Sequence, residues 1–210
     1  MPRNRNNSTF DFRQDQPRLN HPVDHLKQML DIPEDVEEKF RALTSVRKFR
    51  KGERITASSD IRFFGFYLCR GAARVSMLRG GQDLTCSFAI DDEFIALPTS
   101  LLSSDKVTLS IEFLESSEVI CVPIEKSRRM FLEEVSLSNG AFSFILATLM
   151  DYSRTLEERL IVMQCADARQ RYDWFCKRYP KIVDRVSSIH VASFLGITKE
   201  TLYRIRSGKY

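Results

Sequence analysis

At about residue 124 the periodicity of the chain changes, and that single change limits the folds open to it. From Ser45 to Pro123, short runs of β-formers alternate with turn signals. The runs are Ser45 to Arg50, Phe63 to Cys69, Ala72 to Leu78, Leu84 to Ile90, Val107 to Leu114 and Glu118 to Pro123. Between them lie Lys51-Gly52-Glu53, Arg70-Gly71, Arg79-Gly80-Gly81, Asp91-Asp92 and Glu115-Ser116-Ser117. Strands at such regular spacing predict an antiparallel barrel or roll. After Ile124 the period is helical, with a short helix over Glu125 to Glu134 and a long one from Gly140 to about Ala166. Two short helices, Val23 to Leu30 and Pro33 to Leu43, precede the strands. The polar segment Met1 to Asn20 is predicted to be disordered. The expected class is therefore α+β.

The end of the chain carries the most specific signal. Ser188 to Arg206 reads as two short helices joined at Gly196, where the turn needs a positive φ. Ala192 is small enough for two helices to touch at a steep angle, as in a helix-turn-helix. Val191, Leu195, Ile197, Leu202 and Ile205 fall on the predicted inner faces, with Ser187 and Thr198 as N-caps. A second helix of this kind can enter the DNA major groove. It would offer Lys199, Glu200, Thr201 and Tyr203 outward, with Arg204 one turn on. Ahead of it, Ala168 to Arg178 is amphipathic through Tyr172, Phe175 and Cys176, with Trp174 alongside, and these aromatics are expected in the core.

Charge distribution supports the same reading. The total is +4, yet Cys165 to Tyr210 holds ten Lys and Arg against four acidic residues, a net +6, which leaves −2 for the rest. A basic end on a slightly acidic body suits binding to nucleic acid. In the long helix, Phe142, Leu146, Leu149, Ser153, Leu156, Leu160 and Met163 step alternately by four and three. That heptad seam predicts a homodimer, although part of the stripe could instead pack back on the β-domain.

Other classes fit less well. No apolar run approaches the roughly 18 residues of a membrane span. The N-terminus lacks the apolar core of a signal peptide, and five unclustered cysteines suit a reducing cytoplasm. A metal-dependent enzyme on a β-roll would need histidines on its strands. The three here are His21, His25 and His190, outside the β region, so neither an enzyme nor a bound metal is expected. A ligand-sensing or interaction module without DNA reading is the alternative, which a mobility-shift assay would separate.

A β-roll, a long heptad helix and a terminal helix-turn-helix together resemble the Crp-Fnr family of bacterial transcription regulators. The resemblance spans roughly residues 25 to 206 and rests on Tyr67 to Val75, Asp92 to Leu97, Arg171-Tyr172, Tyr179-Pro180 and the motif itself. It implies a cyclic-nucleotide-binding-like sensor over 21–135, a dimerisation helix over 136–166 and a DNA-binding domain over 167–210. It also implies a near-palindromic operator and contact with RNA polymerase. The family's base-reading positions match Lys199, Glu200 and Arg204. Carboxylates can accept from cytosine N4, and Arg or Lys can donate to guanine O6 and N7. Thr198, Thr201, Arg206, His190 and Ser188 are assigned to phosphates.

The family's cyclic-nucleotide binders carry a Gly-Glu pair and then an Arg-Ser or Arg-Thr pair. Counted back from Glu118-Val119, those pairs fall on Ala96-Leu97 and Val107-Thr108. Leucine replaces the carboxylate and valine the guanidinium, so the resemblance predicts no cyclic AMP and no other cofactor. A candidate pocket for an apolar ligand is left between Phe94, Leu97, Val107 and Thr108. The cysteine cluster of the oxygen-sensing members is missing, and so is room for the usual wing after the second motif helix.

Overall fold

The structure is a computed structural model that describes residues 21–27, 32–56, 63–95, 97, 108–134 and 139–210. The N-terminal tail, the end of the first predicted helix, Ala96 and Val107 lie outside the described residues. So do the side chains of Phe142, Leu146 and Leu149.

Helices α1 (Pro22–Lys27) and α2 (Glu34–Leu43) come first. Pro33 occupies the N-cap position of α2, and Glu34, Asp35 and Glu37 in its first turn complement the helix dipole. Among the described residues eight antiparallel strands follow: β1 (Ser45–Phe49), β2 (Arg54–Thr56), β3 (Phe64–Arg70), β4 (Ala72–Arg79), β5 (Gln82–Ile90), β6 (Glu93–Phe94), β7 (Thr108–Phe113) and β8 (Ser117–Pro123). They form two four-stranded sheets, β1-β8-β3-β6 and β2-β7-β4-β5. Four helices complete the chain after α3 (Ile124–Glu134): α4 (Asn139–Cys165), α5 (Ala168–Arg178), α6 (Ser188–Leu195) and α7 (Lys199–Arg206). No described helix is long and apolar enough to cross a membrane.

The core between the sheets is built from one face of each strand, including Phe49, Phe66, Leu68, Val75, Leu109, Ile111, Phe113 and Val119. Phe49 stacks on Phe113 with centroids 4.0 Å apart. β3 is buried on both faces, because Tyr67 and Cys69 on its outer side pack under Val36 and Phe40 of α2. β4 is also buried on both sides. Ala73 and Val75 point inward, while Ala72 and Arg74 are covered from outside. The β3–β4 turn requires glycine: Gly71 has φ +122, and a Cβ there would lie 2.2 Å from the Ser117 hydroxyl oxygen.

Two strands escape the sequence reading. β2 is three residues long and β6 two, and each is defined by its pairing, with β7 and β3 respectively, rather than by any alternation. The pairing of β6 also fixes which side of the sheet Phe94 faces. Tyr67 is the partner of Phe94, so Phe94 lies on the outer, helix-facing side, exposed and edge-on to Tyr67 at 5.0 Å. Ile95 takes the interior position instead, and Leu97 packs partly against the same inner core. Thr108 is exposed at the start of β7. Phe94 thus lies on the outer side of β3 while Leu97 meets the inner core, and Val107, the third residue of the candidate pocket, lies outside the described residues.

Candidate nucleic-acid interface

The C-terminal helices assemble around Phe175, Val191, Ala192, Phe194, Leu195 and Leu202, all buried. Asp167 and Gln170 form a reciprocal capping box that starts α5. Ser187 stands at the N-cap of α6 in an extended conformation but without a side-chain bond. Gly196 ends α6 in the left-handed region, φ 64 and ψ 34. Thr198 caps α7, accepting from the Thr201 N–H at 3.1 Å. The inner faces are as the pattern predicts: Val191, Leu195, Leu202 and Ile205 are buried and Ile197 partly so. Trp174 lies parallel to Phe194 at 6.4 Å, which makes it a core residue.

The outward residues of α7 divide by what they touch. Lys199, Glu200, Tyr203 and Arg204 are exposed, Tyr203 by 70%. Lys199 and Arg204 make no ion pair among the described residues. Arg206 is engaged inside the protein: it donates to the Tyr172 hydroxyl at 3.0 Å and to Ser188 Oγ at 2.8 Å. Ser188 and Arg206, assigned separately to phosphates, thus form one cluster. His190 is half-buried, beside Arg74, Asp83 and Glu112 of the β-sheet, and burial followed by the Arg74 charge lowers its pKa. Its surroundings are the sheet, not the outer face of the motif.

Much of the basic charge is structural, which the charge count alone could not reveal. Arg171 donates to the carbonyls of Ala166, Leu195 and Met163, tying α4, α5 and α6 together. Arg169 donates to the Ile205 carbonyl near the end of α7. Arg185 reaches the roll, binding Asp91 and Glu115 at 2.5 Å each and the Gly71 carbonyl at 2.9 Å. These carboxylates raise its pKa further, so its charge is permanent.

Further contacts hold the motif to the sheet. Ser193 Oγ accepts from the Thr85 N–H at 2.9 Å, so α6 runs along the edge strand β5. Arg159 of α4 lies 4.1 Å over the Phe194 ring and donates to the Cys86 carbonyl at 2.5 Å. Phe88 of β5 packs on Phe194 and Phe175. Beneath α6 lies a charged row in register: Arg54, Glu112 and Arg74 are neighbours across β2, β7 and β4. Arg74, only 2% exposed, donates to Glu112 at 2.7 Å, to Asp83 at 2.7 and 3.0 Å and to Thr85 at 3.0 Å. The sequence reading missed Arg74, Arg159, Arg185 and Ser193, since each is defined by a partner far away in the chain. An open cleft of about 810 Å³ separates the β4–β5 hairpin from the start of α7.

On α4, Leu156 is 47% and Leu160 57% exposed, and Met150 and Ile161 are exposed beside them. Ser153 is exposed too. Met163, the last seam position, is partly buried against the C-terminal core.

Among the described residues no group of His, Cys, Asp and Glu could hold a metal ion. No family model matches the chain, and no curated protein matches it. Several solved structures share its fold. A double mutant of CooA from Carboxydothermus hydrogenoformans superposes with a TM-score of 0.61 at 14% identity, covering 88% of this chain and 82% of that one. A Crp/Fnr-family regulator from Eubacterium rectale gives 0.60 at 13%, covering 90% and 86%. The c-di-GMP-responsive global regulator CLP of Xanthomonas campestris gives 0.58 at 16%, covering 84% and 91%. What these proteins share with the present chain is its two antiparallel sheets and trailing helices, and that fold is the fold of the Crp/Fnr-family regulators.

Proposed function

We propose that the protein is a Crp-Fnr-type transcription regulator that acts in the cytoplasm as a homodimer and reads a near-palindromic double-stranded DNA site with α7. The observation that carries this reading is the division of α7 into two faces. Leu202 and Ile205 are buried, while Lys199, Glu200, Tyr203 and Arg204 stand exposed on the opposite side of a Thr198-capped helix. Such a helix can present its first turns to base edges while its partner helix holds it. Exposed Leu156 and Leu160 supply the apolar stripe for pairing, and two-fold symmetry would place half-site centres about 34 Å apart. Lys199 and Arg204 are assigned to guanine edges and Glu200 to a cytosine amino group.

Selection from a random DNA library tests this. The wild type should enrich one inverted repeat. Arg204→Ala should lose about 1–3 kcal/mol on that site and relax one base position per half-site. Equal enrichment and equal stringency in both proteins would remove Arg204 from base reading.

The signal read by the roll is proposed not to be cyclic AMP. Leu97 stands where the resemblance calls for a carboxylate, and it packs partly against apolar side chains of the inner core. An unpaired phosphate or ribose hydroxyl in such surroundings is costly. Titration calorimetry with cyclic AMP should show no saturable heat at ligand concentrations up to about 1 mM, where even about −4 kcal/mol of binding would register. A micromolar dissociation constant would refute this.

A further inference from the structure

Arg206 differs from Arg169, Arg171 and Arg185 in what it donates to. Those three end on carbonyl or carboxylate oxygens. Arg206 meets two hydroxyls instead. Its Nε donates to the Tyr172 hydroxyl of α5 at 3.0 Å, and its Nη1 donates to Ser188 Oγ at the start of α6 at 2.8 Å. The guanidinium carbon also stands 5.4 Å from the Tyr172 ring centroid, within cation–π range. Hydroxyls carry no net charge, so they fix the direction of the guanidinium without cancelling its charge. The side chain is exposed and makes no ion pair among the described residues, so its Nη2 amino group is open to an outside acceptor. Tyr172 is a firm support, because its ring packs against the C-terminal core. Burial, and then a hydrogen bond with Cys176 one turn along α5, raise the Tyr172 pKa and keep the hydroxyl neutral. Lys199, Tyr203 and Arg206 follow one another at intervals of four and three along one stripe of α7. Arg206 thus closes the stripe that Lys199 opens, at the far end of the helix, where a directed and uncancelled guanidinium suits a phosphate.

We infer that Tyr172 is a positioning residue for DNA binding, whose hydroxyl holds the Arg206 guanidinium ready for a backbone phosphate beside the bases read by α7. The inference rests on the DNA-reading proposal. It adds that a residue outside the motif, on α5, sets part of the affinity without touching DNA. A side chain ordered in advance loses less rotamer freedom when it binds. The partner is the sugar-phosphate backbone, so the contribution is independent of sequence, and the Arg206 contact itself is sensitive to salt.

The test is an anisotropy titration of the selected DNA site and of an unrelated duplex at several KCl concentrations, using wild type, Tyr172→Phe, Arg206→Ala, the double variant and Arg204→Ala. Arg206→Ala should weaken both duplexes alike, by roughly eightfold per subunit at about 0.1 M salt, and reduce the salt slope by about 0.9 per subunit. Tyr172→Phe removes one oxygen and keeps the ring, so the protein should stay folded. It should weaken both duplexes by roughly threefold per subunit. In the Arg206→Ala background the same substitution should cost nothing further, because the side chain it positions is gone. A purely structural effect of Tyr172 would persist in that background, so an equal loss there would overturn the inference. Wild-type binding by Tyr172→Phe, or by Arg206→Ala, with Arg204→Ala still losing selectivity, would also overturn it and leave DNA reading intact. A loss by Arg206→Ala on the selected site alone would make Arg206 a base reader and overturn the phosphate contact. A wild type that binds neither duplex would overturn both proposals.

Discussion

Arg74→Met should destabilise the protein by about 3 kcal/mol, the lower part of the range for breaking a buried ion pair. Arg74 is 2% exposed and its guanidinium satisfies Asp83, Glu112 and Thr85 together. Methionine fills a similar volume but leaves those oxygens without their donor. Two features hold the cost near the bottom of the range. Asp83 is 36% exposed, and Arg54 still reaches Glu112 at 2.9 Å. The expected loss in melting temperature is about 6–12 °C for a chain of this size. Replacing Asp83 and Glu112 by leucine in the same protein should recover most of it, because an apolar cluster has no unpaired charge to solvate. A single variant that melts with the wild type would show that the row contributes nothing to stability. The effect should reach beyond the sheet, since Asp83 and Thr85 also meet Ser193 of α6.

Leu156→Lys should convert the proposed dimer into a folded monomer. Leu156 sits at the middle of the exposed stretch of α4, with Leu160 one turn further on. At a two-fold seam the substitution brings two ammonium groups together in an apolar contact, which is costly without a partner charge. Sedimentation should read twice 24.4 kDa for the wild type and 24.4 kDa for the variant. Leu156→Met keeps the volume and should keep the dimer. An unchanged dimer in Leu156→Lys would disprove the seam. Loss of the dimer should also abolish the inverted-repeat preference, because each subunit would then read one half-site alone.

How much was legible from the sequence depended on whether a feature is local. The caps, the left-handed glycine and the inner faces of α6 and α7 all lie within a turn or two of the residues they serve. Thr198 meets Thr201, and Gly196 ends its own helix. Such features follow from period and cap chemistry, so helices α5, α6 and α7 were readable nearly to the residue. The long strands were readable for the same reason, each having its own run of β-formers between turns.

Features that depend on a distant partner were not readable. β2 and β6 are strands only because β7 and β3 supply their hydrogen bonds. Phe94 looked like a pocket residue in one dimension, and pairing with Tyr67 places it outside. Arg74 reads as a polar residue in a strand that should expose it. It is buried because α6, more than a hundred residues later, lies across that face and its charges find partners on β5 and β7. Likewise the basic C-terminus reads as one cationic surface, yet Arg171 and Arg185 spend their donors on carbonyls and carboxylates within the protein. The amino-acid order alone decided the periods, the turns and the two-faced helix α7, because those depend on neighbours along the chain. Which cations remain free for an anionic partner was decided by tertiary packing, because a charge is neutralised by whatever lies close in space.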